Sequence, residues 1–250
     1  MMLKKNIVFP VLFVSSLVAA VLFLSKDGAL QNISFGPKNT LARNALQEEA
    51  RVLKKQGLYE RALEKYREAI LPKMLTFEWQ ASTARGAIIE IYCLQGRYDE
   101  ALEDMKWFVA GNSEKFTPWL NEIKALAEYQ ASGDAKMVYD HISWLKETKK
   151  KFSPPAYADD QTVSTILRLY NTIGAHDAGI KFIDEILAYF RTGKAGDPKP
   201  GKVDAEYMKV REAFERDKRD GFKGCAGSLP GQVCMGKATK ALIQSDYFPW

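Results

Sequence analysis

Histidine and cysteine are the scarcest reactive residues of this 250-residue chain, with two and three copies. His141 and His176 stand far apart, each among residues patterned as helix, so each is read as structural and not as a general base. There is no Walker loop, no G-x-G-x-x-G after a strand, no H-E-x-x-H and no G-x-S-x-G. Carboxylate pairs such as Asp159-Asp160 and Asp184-Glu185 are adjacent in sequence and so do not share a helix face. Asp159-Asp160 are better placed to charge the start of a helix. The chain is therefore not expected to be an enzyme, and its residues imply no metal and no cofactor.

Strand signals are also missing. No run alternates β-branched residues, and no Asn-Gly hairpin turn occurs. Long segments with a 3.6-residue period dominate instead, which predicts an all-α fold. With 46% hydrophobic and 27% charged residues, the composition is that of a folded chain and not a disordered one. Charge of one sign is not in excess either: 36 basic residues face 31 acidic ones, a net +5. The two signs interleave along helices, as in Glu60-Arg61 and Glu64-Lys65, which marks solvated faces and not a nucleic-acid footprint. The densest basic run, Lys146 with Lys149, Lys150 and Lys151, falls at a predicted helix end. There it complements the helix dipole, with a contact to anionic lipid or a partner as the alternative.

One long hydrophobic run is present, Ile7 to Leu24, preceded by Lys4 and Lys5 and closed by Lys26-Asp27-Gly28. Roughly 18 residues at about 1.5 Å each span a thin bilayer core. Ala19-Ala20 lie inside the run, so cleavage there leaves an apolar N-terminus. Residues 1–25 are thus read as an uncleaved signal anchor and transmembrane helix, with a cleaved signal peptide as the alternative. The leading lysines place the N-terminus in the cytoplasm and the body outside, periplasmic in a Gram-negative cell. Residues 26–40 read as a flexible stalk.

A short phrase then occurs twice. Gln56-Gly57-Leu58-Tyr59-Glu60-Arg61-Ala62-Leu63 returns as Gln95-Gly96-Arg97-Tyr98-Asp99-Glu100-Ala101-Leu102. A period near forty residues, with glycine ahead of an alanine-bearing amphipathic segment, is what stacked helical hairpins produce. Gly57, Gly96, Gly133 and Gly174 step by about forty, and mark four hairpins over residues 41–191. Gly57, Tyr59, Ala62, Tyr66 and Ala69 match the second half of a tetratricopeptide repeat position by position, and the first hairpin resembles that family there. Gly96, Tyr98 and Ala101 match in the second hairpin, with Ile88 and Tyr92 as first-helix packing residues, while Met105 and Phe108 depart from the pattern. The third and fourth hairpins resemble only generic helical repeats. His176 takes the place of the elbow tyrosine.

The resemblance implies a right-handed α-solenoid of about four hairpins with C-terminal capping helices, acting as a protein-binding scaffold. Carried over by register, its groove positions are Asn44, Gln47, Arg51, Lys54 and Lys55, then Glu90, Gln130, Arg168 and Asn171. The plainer reading makes these residues a solvated helix face. The implied partners are other proteins, subunits of a membrane or envelope complex or else exported peptides, together with the membrane through the N-terminal helix. No nucleic acid is implied, and the sequence specifies no oligomeric state. The function expected is a membrane-tethered extracytoplasmic scaffold or accessory subunit. A chaperone-like binder of exported or unfolded chains is the alternative.

Beyond the repeats, residues 192–202 are rich in Gly and Pro and read as a linker. Residues 203–250 hold a capping helix with Tyr207, Val210 and Phe214 on its apolar face, a cysteine loop, a short helix near 237–244 and an aromatic tail. Cys225 and Cys234 close a Gly/Pro-rich loop and fit a disulfide in an oxidising compartment, with free thiols or a metal site as alternatives. Cys93 reads as a small buried residue. Tyr247, Phe248 and Trp250 either fold back onto the body or form a hot-spot peptide for a partner.

Overall fold

A computed structural model describes residues 37–71, 81–111, 113–152, 160–191, 200–245 and 247–248. The apolar N-terminal run, Pro72, residues 192–199 and Trp250 lie outside the described residues. Among those described there are ten helices and no strand: α1 (Pro37–Lys55), α2 (Tyr59–Ala69), α3 (Ser82–Leu94), α4 (Tyr98–Gly111), α5 (Ser113–Ser132), α6 (Lys136–Phe152), α7 (Asp160–Thr172), α8 (His176–Arg191), α9 (Pro200–Arg219) and α10 (Lys237–Gln244). The fold is all-α. Helix α1 begins at Pro37, inside the stretch read as stalk, and α9 begins at Pro200, inside the stretch read as linker. Both starts use proline where its missing N–H leaves no intrahelical bond unmade. No helix among the described residues is long and apolar enough to cross a membrane.

Each of the four hairpins, α1/α2, α3/α4, α5/α6 and α7/α8, turns at a glycine of positive φ: Gly57 (78°), Gly96 (63°), Gly133 (77°) and Gly174 (72°). At Gly57 the glycine N–H donates to Lys54 O at 3.0 Å and Leu58 N–H to Leu53 O at 2.9 Å. The same two-bond cap recurs at Gly96 and at Gly174. It satisfies orphan carbonyls of the ending helix and needs a left-handed residue at its centre. Gly133 makes the one-bond variant, to Tyr129 O at 2.8 Å. Asp134 then starts α6, its carboxylate accepting from Lys136 N–H at 2.9 Å.

Counting from each glycine, the hairpins bury equivalent positions. Four residues before it stand Leu53, Tyr92, Tyr129 and Tyr170, all buried. Five residues after it stand Ala62, Ala101, Val138 and Gly179, all buried and none larger than valine. Nine after it come Tyr66, Met105, Ile142 and Ile183, each at most 5% exposed. Met105 and Phe108, which depart from the tetratricopeptide pattern, are both buried. At the fourth small position even alanine is too large, because a Cβ on Gly179 would lie 2.5 Å from the Phe214 ring.

Every helix packs on its neighbours in sequence from α1 to α10, and α10 also returns to α7. The buried residues form one continuous core from Ala50 in α1 to Phe248 in the tail. Helix α9 contributes Tyr207, Val210 and Phe214, all buried, and covers α8. The tail turns back at Ser245, which donates to Glu206 at 2.8 Å. Phe248 is then 3% exposed, edge-on to Tyr207 at 5.1 Å, and Tyr247 lies 6.0 Å from the same ring.

Candidate partner-binding site

The residues carried over as groove positions fall into two groups. Asn44 and Arg51 are exposed on α1, with Gln47 and Lys55 half-buried. Arg51 grips Glu48 through two nitrogens at 2.6 and 2.8 Å. The second group turns inward. Lys54 is 2% exposed and donates to Glu90 at 2.7 Å, tying α1 to α3. Arg168 of α7 pairs with Glu122 of α5. Gln130 gives its amide to the Ser228 carbonyl at 3.0 Å and to the Ser228 hydroxyl at 3.1 Å.

Asn171 is fully buried and stands at a polar node joining α7, α9 and α10. Its Nδ2 donates to Asp217 Oδ2 at 2.8 Å. Its Oδ1 accepts from Gly236 N–H at 3.1 Å and from the Thr239 hydroxyl at 2.7 Å. Asp217, 2% exposed, also accepts from Lys237 N–H at 2.6 Å and Ala238 N–H at 2.9 Å. A carboxylate of α9 therefore caps the N-terminus of α10 from across the fold, where the helix dipole favours negative charge. Gly236 allows this approach, since a Cβ there would sit 2.4 Å from Asp217 Oδ2. Sequence reasoning missed Asp217, which sits in the charged stretch Glu215-Arg216-Asp217-Lys218. The signal was its spacing: Tyr207, Val210, Phe214 and Asp217 follow the helical stripe that the rest of α9 buries.

Cys225 and Cys234 are disulfide-bonded, with Cα atoms 5.7 Å apart. The loop they close lies across the C-terminal ends of three first helices. Cys225 N–H donates to Thr172 O of α7 at 2.9 Å, Gly227 N–H to Gln130 O of α5 at 2.8 Å, and Gly231 N–H to Gln95 O beyond α3 at 2.9 Å. These carbonyls belong to helix ends that lack an intrahelical donor. Gly224 passes so close to the fourth elbow that a Cβ would lie 2.6 Å from the Tyr129 hydroxyl and 2.7 Å from Thr172 O. Next to it, His176 shares a 2.5 Å hydrogen bond with the Phe222 carbonyl. A carbonyl only accepts, so the proton sits on Nε2.

Two further features bear on chemistry. Cys93 is buried on α3, and burial first, with the negative fields of Glu122 and Glu90 against that of Arg168, pushes its thiol up to about 12. It is not a nucleophile near neutral pH. A groove of about 460 Å³ opens between α5 and α6, lined by Pro118, Lys124, Met137, Asp140, His141 and Trp144. His141 stacks on Trp144 with ring centroids 5.8 Å apart, and its Nε2 lies 3.9 Å from Glu122. Burial lowers the His141 pKa against the opposing pull of Glu122. Lys146, from the basic run, packs its ammonium 4.4 Å from the Phe182 ring and donates to the Tyr170 hydroxyl at 3.0 Å. That lysine therefore joins α6 to α7 and α8. No protein-family model, no curated protein and no solved structure matches this chain.

Proposed function

We propose that this chain is a membrane-tethered, extracytoplasmic protein–protein interaction scaffold or accessory subunit of an envelope complex. The body is a tetratricopeptide-like solenoid, carried outside the cytoplasm by the N-terminal apolar run. The observation that carries this reading is the recurrence of one elbow and one set of buried positions in four successive hairpins, a design suited to broad binding surfaces. The Cys225–Cys234 disulfide supports an oxidising compartment. Its role is not catalytic in this reading.

The permanent-subunit form is favoured over the chaperone-like form by the inward-facing groove residues. Lys54, Glu90, Gln130, Arg168 and Asn171 all bond within the chain itself, whereas a transient peptide binder needs such groups for its ligand. The test is affinity purification of the full-length protein from its own membranes in mild detergent, with partners quantified. A stoichiometric set of partners is expected. A spread of substoichiometric exported chains instead would replace this reading with the chaperone one. Extraction by alkaline carbonate, or a mature N-terminus near residue 21 or 26, would remove the anchor.

A further inference from the structure

The 225–234 loop combines three properties. It bridges helix ends from three separate hairpins, at Thr172, Gln130 and Gln95. Its crown buries little: Ala226, Gly227 and residues 229–233 are exposed, with Leu229 at 63% and Val233 at 47%. Its two flanks are fixed independently, Gly224 against Tyr129 and Gly236 in the Asn171–Asp217 node. Lifting the crown exposes almost no apolar surface, and water can take over the helix-end carbonyls. Such a segment belongs to the least stable part of a fold unless a covalent link holds it.

We propose that the Cys225–Cys234 disulfide is a reducible clasp, whose opening frees the crown of the loop from the helix ends at Gln95 and Gln130 while the helical body stays folded. The two sulfurs differ in access: Cys225 is buried at 4% exposure, while Cys234 is half-buried. A dithiol reductant therefore attacks at Cys234 Sγ. Its thiolate forms a mixed disulfide there, the S–S bond breaks, and Cys225 leaves as a thiolate that takes a proton. The second thiol of the reductant then displaces Cys234 and is itself oxidised to a disulfide, so two electrons pass to the protein. The released crown uncovers the carbonyls of Gln95 and Gln130 and the Gln130 amide, while Cys225 stays against Thr172 beside the fixed Gly224. This inference does not rest on the scaffold reading.

The test is amide hydrogen exchange on the full-length protein, oxidised and after dithiothreitol, repeated on the C225S/C234S variant. Exchange of the Gly227 and Gly231 amides is expected to rise by about tenfold or more on reduction, with amides of α2, α4 and α8 remaining protected. Unchanged protection at Gly227 and Gly231 would overturn the proposal, because the flanking anchors would then suffice to hold the loop. General loss of protection across the helices would overturn it too, making the bond a brace for the whole body. In-place reduction of the wild type keeps the test decisive if the double variant fails to fold.

Discussion

Individual residues act here through how little space or freedom their surroundings leave. Gly57 and Gly179 separate two reasons for glycine. Gly57 has a φ of +78° and open space within 4 Å of where a Cβ would stand, whereas Gly179 is helical and faces the Phe214 ring at 2.5 Å. Gly57→Ala should therefore cost about 1 kcal/mol from backbone strain, and Gly179→Ala about 1–3 kcal/mol from overpacking. Urea denaturation of both variants checks the order. Asp217 is a different case. Asp217→Ala would leave Asn171, Lys237 N–H and Ala238 N–H without their acceptor, and should cost about 2–3 kcal/mol. Faster exchange in α10 than in α3 would place the effect at the cap.

At the scale of elements, the interface of α5, α6 and α7 carries a pH response. His141 of α6 faces Glu122 of α5, which is paired with Arg168 of α7. Burial holds the folded pKa of His141 below its ordinary value, so between the two values the unfolded chain binds the extra proton. Stability is then full above about pH 6.5 and falls as pH drops through that value. His141→Gln should flatten this part of a stability–pH curve measured by thermal or urea midpoints. An unchanged curve would assign the response to other groups.

Across the whole molecule, one continuous core runs from α1 to the tail, so unfolding should be a single transition. Tryptophan fluorescence, to which Trp107, Trp119 and Trp144 in α4 to α6 contribute among the five tryptophans of the chain, should coincide with helical circular dichroism. The cysteines give a second check at this scale. Iodoacetamide at about pH 8 should add nothing to the native oxidised protein, because Cys93 is buried with a raised pKa. It should add one group after unfolding without reduction, and three after reduction. Opening the disulfide should lower global stability by at most about 2–3 kcal/mol, since the closed loop is short.

Much of the architecture was legible in the sequence, because helix periodicity and the chirality of glycine's neighbours act locally. The 3.6-residue stripes, the repeated Gly-x-Tyr phrase and the forty-residue step mark the helical stretches and four elbows without any long-range contact. The bonding of Cys225 to Cys234 was legible only as one of three alternatives, and the fate of the aromatic tail as one of two. The partners of the inward-facing polar groups were not legible at all. Lys54 with Glu90, Arg168 with Glu122, and Asn171 with Asp217 join residues 36 to 46 positions apart, and nothing in local propensity encodes such pairs. They form because burial leaves a polar group no water to bond, so each takes the partner that the packing of whole helices brings within reach. Sequence alone determined where the chain turns and which faces are apolar. Tertiary structure decided which polar residues remain available to anything outside the chain.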